Sequence, residues 1–141
     1  MTFDDFVKKG QVRRASEDRD LIKSLINKAN EDIEFFNSLK IESKSARKLL
    51  SNYYDILRSV LEAIASATGY KIYSHEAFTY FLKEIKNENV ISVKFDRFRK
   101  IRNSINYYGD DVSVDEAKKI IDEIKRMINL LIKKYLKDYD V

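Results

Sequence analysis

The sequence predicts an all-α fold, an up-and-down bundle of about five helices. The chain has no proline and three glycines among its 141 residues, so few residues interrupt long helices. Apolar residues recur at three- and four-residue spacing in about five long segments, which is the period of one helix face. A hydrophobic share of 44% is typical of a folded chain, and the length suits a single domain, residues 1–141.

The first half of the chain divides at recognisable signals. Residues 3–9 form a short segment that ends at Gly10, within an N-terminal arm of residues 1–15. Ser16 is the expected cap of the first long helix, which should end near Leu39. The second helix is expected over 45–68, with Gly69 as its C-terminal cap. Its apolar face is wide, which predicts a central helix with neighbours on two sides.

The second half contains three more predicted helices. Ser74 begins the third, which ends in the polar run 86–89. Ser92 is the expected cap of the fourth, which ends at Gly109, although residues 90–93 also suit a locally extended conformation. Ser113 and Glu116 match a capping box at the start of the last helix. Short connections favour antiparallel neighbours.

Composition excludes several chemistries. The chain has no cysteine, which rules out disulfides, thiolate metal sites and a cysteine nucleophile. One histidine argues against a transition-metal site, and the three glycines lie too far apart for a phosphate loop. No metal and no cofactor are expected. The acidic first residues and the lack of a long apolar run predict a cytoplasmic protein without membrane contact.

The fourth predicted helix has the most informative pattern. Arg102 falls at the edge of its apolar face, and Arg99 and Asn106 lie about one turn to either side, with Asn103 adjacent. Tyr107 stands at the border of this polar patch. Guanidinium and amide groups beside an apolar seam suit a phosphate or a ribose. The apolar face itself comprises Phe95, Phe98, Ile101, Ile105 and Tyr108.

On spacing alone, structural roles are the stronger explanation of these residues. Arg102 is expected to be partly shielded, and it can pair with a carboxylate of a neighbouring helix such as Asp55 or Glu62. The two asparagines can satisfy backbone carbonyls or each other. His75, the sole histidine, is either a solvent-facing residue in the first turn of its helix or a group that reaches the Arg102 patch. The net charge of +4 is compatible with a polyanionic partner, but alternating charges are typical of a solvated helix surface.

Three stretches together resemble the HEPN superfamily (higher eukaryotes and prokaryotes nucleotide-binding). They are the run 102–109 (RNSINYYG) before a capped amphipathic helix, the run 53–63 (YYDILRSVLEA), and the turn at 69–76. The resemblance covers residues 16–135. It implies a helical bundle, commonly a homodimer, and many members are metal-independent ribonucleases whose two motif copies meet at the dimer interface. Many prokaryotic members are toxins paired with a nucleotidyltransferase antitoxin.

The family motif is only partly present. Its arginine and the polar residue after it match Arg102 and Asn103, but the window for its histidine falls on Tyr107, Tyr108 and Gly109. Imidazole titrates near neutral pH whereas a tyrosine titrates near ~10, so a tyrosine is a poor proton shuttle. The resemblance implies catalytic roles for Arg102, Asn103 and Tyr107. It implies binding of RNA or a nucleotide by Arg99, Arg102, Asn106 and Tyr108.

Three functions follow from these observations. The first is an RNA- or nucleotide-binding or adaptor protein with a degenerate catalytic motif, in a toxin–antitoxin-like module with a nucleotidyltransferase partner. The alternative is a metal-independent ribonuclease that acts through Arg102 and Asn103, aided by a tyrosine or a displaced histidine. The third is a helical interaction protein without a nucleic-acid ligand.

Overall fold

A computed structural model describes residues 1–139, and it confirms the all-α prediction. No helix within these residues is both long and apolar enough to cross a bilayer. The elements in chain order are α1 (Phe3–Lys8), β1 (Val12–Arg14), α2 (Arg19–Asn37), α3 (Ala46–Thr68), β2 (Tyr70–Ile72), α4 (His75–Tyr80), a π-helical continuation of α4 (Phe81–Ile85), α5 (Asn89–Tyr108), α6 (Val114–Tyr135) and a 3-10 turn (Lys137–Tyr139).

The central helix is α3, as its wide apolar face predicts. It packs along α2 on one side and along α6 on the other, and α5 packs against it as a further neighbour. Leu50, Tyr54, Leu57 and Leu61 are completely buried along it. Gly69 ends the helix in the left-handed conformation expected of a C-terminal cap.

The backbones of the consecutive helices α5 and α6 do not pack closely, although a short loop joins them. Helix α5 packs on α4 and α3 instead, which leaves an open groove of about 560 Å³ between α5 and α6. The side chains of Arg97 and Glu123 bridge the two helices with a contact of 2.8 Å. A short connecting loop therefore does not by itself bring these two helices into close packing.

Three expected helix starts or conformations are wrong. Helix α2 begins at Arg19, and its cap is Asp18 rather than Ser16, because Asp18 accepts the backbone N–H of Leu21. Helix α5 begins at Asn89, so residues 90–93 are helical and not extended. Ser92 is buried inside the first turn, where its hydroxyl donates to the carbonyl of Asn89.

The N-terminal arm is integrated into the body of the molecule. Phe3 and Phe6 of α1 are buried, and the Phe6 ring packs 5.3 Å from the Tyr80 ring of α4. Strand β1 then pairs with β2 in an antiparallel two-stranded ribbon, with Val12 opposite Ile72. The sequence did not predict this ribbon. It links the arm to the end of the central helix.

Candidate functional site

The polar patch predicted on α5 faces α3. Ser51 of α3 contacts Asn106, and Asp55, one turn further along α3, contacts Arg102. Rising numbers on one helix meet falling numbers on the other, so the two helices run antiparallel. We call this surface the α3–α5 seam, formed by Ser51, Tyr54, Asp55 and Arg58 of α3, Arg99, Arg102 and Asn106 of α5, and His75 at the start of α4.

Arg102 is partly shielded, as its position on the helix predicts. Its side chain is 16% exposed, and its guanidinium carbon lies 5.5 Å from the centroid of the Tyr54 ring. One terminal nitrogen donates to a carboxylate oxygen of Asp55 at 3.2 Å. The expected pairing with a carboxylate is therefore confirmed for Asp55. Glu62, the other candidate, binds Arg58 and Lys71 instead.

The guanidinium of Arg102 has hydrogen-bonding capacity to spare. Its Nε–H is fully buried and has no hydrogen-bond partner within residues 1–139. The contact with Asp55 engages one of the five N–H donors that an arginine carries. An unsatisfied buried donor is costly, and a guanidinium pairs best with a carboxylate or phosphate that offers two acceptor oxygens side by side.

Arg99 differs from Arg102, although it lies one turn earlier on the same helix. Its Nε and a terminal nitrogen both donate to Asp96, at 3.0 and 2.8 Å. Burial alone would raise the pKa of Asp96, but hydrogen bonds from Arg99, Lys100 and Thr79 more than offset burial, so this pKa lies below its usual range. Arg99 therefore uses two of its donors to bind a carboxylate of its own helix.

His75 reaches the seam through Tyr54. The Tyr54 hydroxyl and His75 Nδ1 are 3.1 Å apart, and the two ring centroids are 5.9 Å apart. Tyr54 thus contacts His75 with its hydroxyl and Arg102 with its ring face. The sequence left two positions open for His75, one facing solvent and one near the Arg102 patch, and it did not single out Tyr54. Both belong to the site.

The electrostatics of the seam favour the neutral form of both rings. Burial raises the pKa of Tyr54 well above its usual range, although Arg102 and Arg99 oppose this rise. Burial also lowers the pKa of His75, and the charges of Arg58 and Arg102 lower it further. A neutral imidazole beside arginines can accept a proton, and its protonated form would be stabilised by a bound anion.

The two asparagines behave differently. Asn106 is held by α3, because its carboxamide oxygen accepts a hydrogen bond from the Ser51 hydroxyl at 3.0 Å. Asn103 is half-buried, and its side chain makes no hydrogen bond within the described part of the chain. Asn103 therefore keeps its amide for another partner.

Tyr107 and Tyr108 are largely exposed, at 72% and 80%. Tyr108 continues the apolar face by its spacing, but unlike Phe95, Phe98 and Ile105 it is not buried. Tyr107 lies roughly 140° around the helix from Arg102 at 3.6 residues per turn. The tyrosine that links Arg102 to the histidine is Tyr54, whose ring contacts Arg102 and whose hydroxyl contacts His75.

Comparison of the chain with protein-family models, curated proteins and solved structures finds no match. Residues 1–139 also contain no group of three or more side chains of the histidine, cysteine, aspartate or glutamate type that could hold a metal ion.

Proposed function

We propose that the chain is a HEPN-like protein that binds RNA or a nucleotide through a phosphate at Arg102. The observation that supports this function best is that Arg102, on an arginine-rich seam, gives one of its N–H donors to Asp55 while its side chain stays 16% exposed. Partial burial strengthens a guanidinium–phosphate contact because water competes less there. Asn103 and the exposed rings of Tyr107 and Tyr108 border the end of the same helix and suit contacts to a ribose or a base.

Asp55 is the internal competitor for the phosphate. Its carboxylate occupies one N–H of Arg102 and is 46% exposed, so a ligand can meet it in solvent. A phosphate that binds Arg102 must share the guanidinium with this negative charge. Removal of the Asp55 charge and removal of the Arg102 charge therefore affect ligand binding in opposite directions, although both break the same ion pair.

The first experiment measures binding of fluorescently labelled single-stranded RNA by anisotropy. We expect Arg102→Ala to weaken binding about tenfold to hundredfold, the range for a charge-assisted contact of ~1.5–3 kcal/mol. We expect Asp55→Asn to strengthen binding, because it removes a negative charge that competes with the phosphate for Arg102. Circular dichroism of both variants checks that the helices survive.

The matched controls use the exposed pair Arg126 and Asp122 of α6, whose side chains meet at 2.8 Å. Arg126→Ala and Asp122→Asn make the same changes of charge on another helix and should shift affinity only slightly. Equal losses of RNA affinity for Arg102→Ala and Arg126→Ala would show that the effect comes from net charge alone and not from this site. If Arg102→Ala leaves RNA affinity unchanged in a folded protein, the proposed function is wrong for this site.

The same proposal includes two partners that rest on the family resemblance. One is a second copy of the chain, and the other is a nucleotidyltransferase in a toxin–antitoxin-like module in the cytoplasm. The missing histidine of the motif favours binding over cleavage in such a module. Light scattering tests the homodimer directly, and a monomer at all concentrations would remove it from the proposal.

A ribonuclease is the second candidate, because Tyr54 brings His75 to the Arg102 patch. Neutral His75 would accept the proton of a ribose 2′-hydroxyl while O2′ bonds to the adjacent phosphorus. The P–O5′ bond would break, and the leaving oxygen would take a proton from water. The products would be a 2′,3′-cyclic phosphate and a 5′-hydroxyl. Arg102 would stabilise the charge on the phosphorane oxygens.

His75→Gln tests this candidate. It should abolish RNA cleavage in the presence of a chelator and leave RNA binding within a few-fold of the parent, because a glutamine side chain can hydrogen-bond but cannot take up a proton near neutral pH. Denaturing gels of end-labelled RNA measure cleavage. Because His75 acts here as a base, the cleavage rate should increase with pH through its lowered pKa. Cleavage that persists in His75→Gln, or a parent protein that binds but does not cleave, would exclude this role.

A further inference from the structure

A second basic and aromatic surface lies on the two-stranded ribbon. Val12 and Ile72 face each other on its buried side, so the alternation of a strand places Arg13 and Lys71 on the opposite side. Tyr73, two residues after Lys71, continues on that side. Tyr73 is 53% exposed, and the guanidinium carbon of Arg13 lies 5.7 Å from its ring centroid. We call Arg13, Lys71 and Tyr73 the ribbon platform.

The backbone holds this platform in a fixed orientation. The Tyr73 backbone N–H donates to the carbonyl of Gln11 at 2.8 Å, just beyond the last strand pair. Tyr70, by contrast, packs edge-on against Phe3 and is half-buried. Tyr73 therefore combines an exposed ring with a rigid backbone, which is the combination that stacks on a nucleic-acid base at low entropic cost.

Side-chain contacts connect the ribbon platform to the α3–α5 seam. Lys71 Nζ meets one oxygen of Glu62 at 3.1 Å, and the other oxygen meets Arg58 at 3.3 Å. Arg58 precedes Glu62 by one turn of α3 and follows Tyr54 by one turn. A continuous row of charged and aromatic side chains therefore runs along one face of α3 from Arg102 to the ribbon platform. We call this row the track; it consists of Tyr54, Arg58, Glu62 and Lys71.

We propose that the ligand at Arg102 is single-stranded RNA, and that its chain continues along α3 to stack a base on Tyr73 with a phosphate near Arg13. The inference rests on the proposed function. Two carboxylates, Asp55 and Glu62, lie along this path, but each is already paired with a cation. The cations Arg13, Arg58, Lys71 and Arg102 outnumber them, which leaves net positive charge for a phosphate backbone.

The length of the track sets the length of RNA that uses it. From Asp55 to Glu62, α3 rises about 10 Å, the length of about three stacked nucleotides, and the ribbon lies beyond this point. A dinucleotide bound at Arg102 is therefore too short to contact Tyr73, whereas an oligonucleotide of about eight nucleotides reaches it.

The experiment compares a labelled dinucleotide with a labelled octanucleotide of the same base. For the octanucleotide, we expect Tyr73→Ala to weaken binding about tenfold, which is the loss of one stacked base. We expect Arg13→Ala to make the negative slope of log affinity against log salt shallower by about 0.7. Neither variant should change binding of the dinucleotide. Tyr73→Phe keeps the ring and should bind like the parent, and Arg126→Ala is the control for charge.

The outcomes separate this inference from the function on which it rests. If Arg102→Ala weakens the dinucleotide but Tyr73→Ala leaves the octanucleotide unchanged, the ribbon platform is not part of the site and the proposed function stands. If the parent binds both lengths equally well, the track is likewise excluded. If Arg102→Ala changes neither ligand in a folded protein, both proposals fail.

Discussion

Two arginines one turn apart on α5 have different chemical prospects, because their partners differ. Arg99 donates twice to Asp96, a carboxylate of its own helix. Arg102 donates once to Asp55, a carboxylate of another helix, and keeps a buried Nε–H without a partner among the described residues. A residue type at a helical spacing identifies candidates for a phosphate site. The count of satisfied donors selects Arg102 among them.

At the same scale, His75 makes the stability of the protein depend on pH. Burial, together with the charges of Arg58 and Arg102, lowers the pKa of His75 below its ordinary value of 6.5. As the pH falls below about 6.5, the unfolded chain takes up a proton that the folded protein still resists, so the free energy of unfolding decreases. This loss begins at the unfolded pKa and is complete only below the folded pKa.

We therefore expect the parent protein to lose stability between pH about 7 and 5, and His75→Gln to lose less. Urea unfolding followed by circular dichroism at both pH values measures the difference. Asp5, Glu88 and Asp96 also have lowered pKa values, but their carboxyl groups titrate below this window in both states. An identical change in the two proteins would place His75 in a solvent-like environment and contradict its contact with Tyr54.

At the scale of elements, tertiary contacts explain where local capping signals fail. Ser16, Glu17 and Asp18 form a run in which Ser16 is a suitable cap. The chain stays extended past Ser16, because the Ala15 backbone N–H donates to the carbonyl of Gly69, and the Asp18 N–H donates to the Ser66 hydroxyl. These contacts hold residues 15–18 against the end of α3. The first helical turn therefore begins beyond these residues, at Arg19.

The start of α5 is a second case of the same kind. Glu88 precedes the first residue of the helix but does not cap it with its side chain. Its carboxylate instead binds the Tyr135 hydroxyl and Lys134 of α6. Ser92 looks like a cap in sequence, yet it is buried in the first turn. Sequence predicts that a helix exists here, because apolar periodicity is local, whereas its first residue depends on a distant helix.

The candidate site divides along the same line. Helical spacing on α5 alone predicts the neighbourhood of Arg102, Asn103 and Asn106, and the structure places this patch against α3. The link from Tyr54 to His75 depends on where the start of α4 meets α3, which no local pattern encodes. The ribbon is harder still, because each strand has three residues and pairs with a partner far along the chain. Strands this short have too few positions for alternation to be recognised.

For the molecule as a whole, the first fifteen residues connect the candidate site to the rest of the core. Helix α1 covers α4 and its π-helical continuation, where Phe3 packs 6.0 Å from Phe81 and its backbone N–H donates to Glu84. Strand β1 then holds β2, which precedes His75 by three residues. The arm therefore stabilises the same region that positions Tyr73 and His75.

This arrangement predicts that the arm contributes to the stability of the whole molecule. Phe6 is buried and packs on Tyr80, so Phe6→Ala should lower the free energy of unfolding by about 3 kcal/mol, as expected for a buried aromatic ring that leaves a cavity. Val7→Ala, at the exposed next position of α1, should change it by less than ~0.5 kcal/mol. Chemical denaturation of both variants by urea measures these values.

A single transition that shifts as a unit in Phe6→Ala would indicate that the arm unfolds together with the bundle. Equal and small effects of both substitutions would mean that α1 is only loosely attached, and that the ribbon and the start of α4 owe their positions to α3 alone.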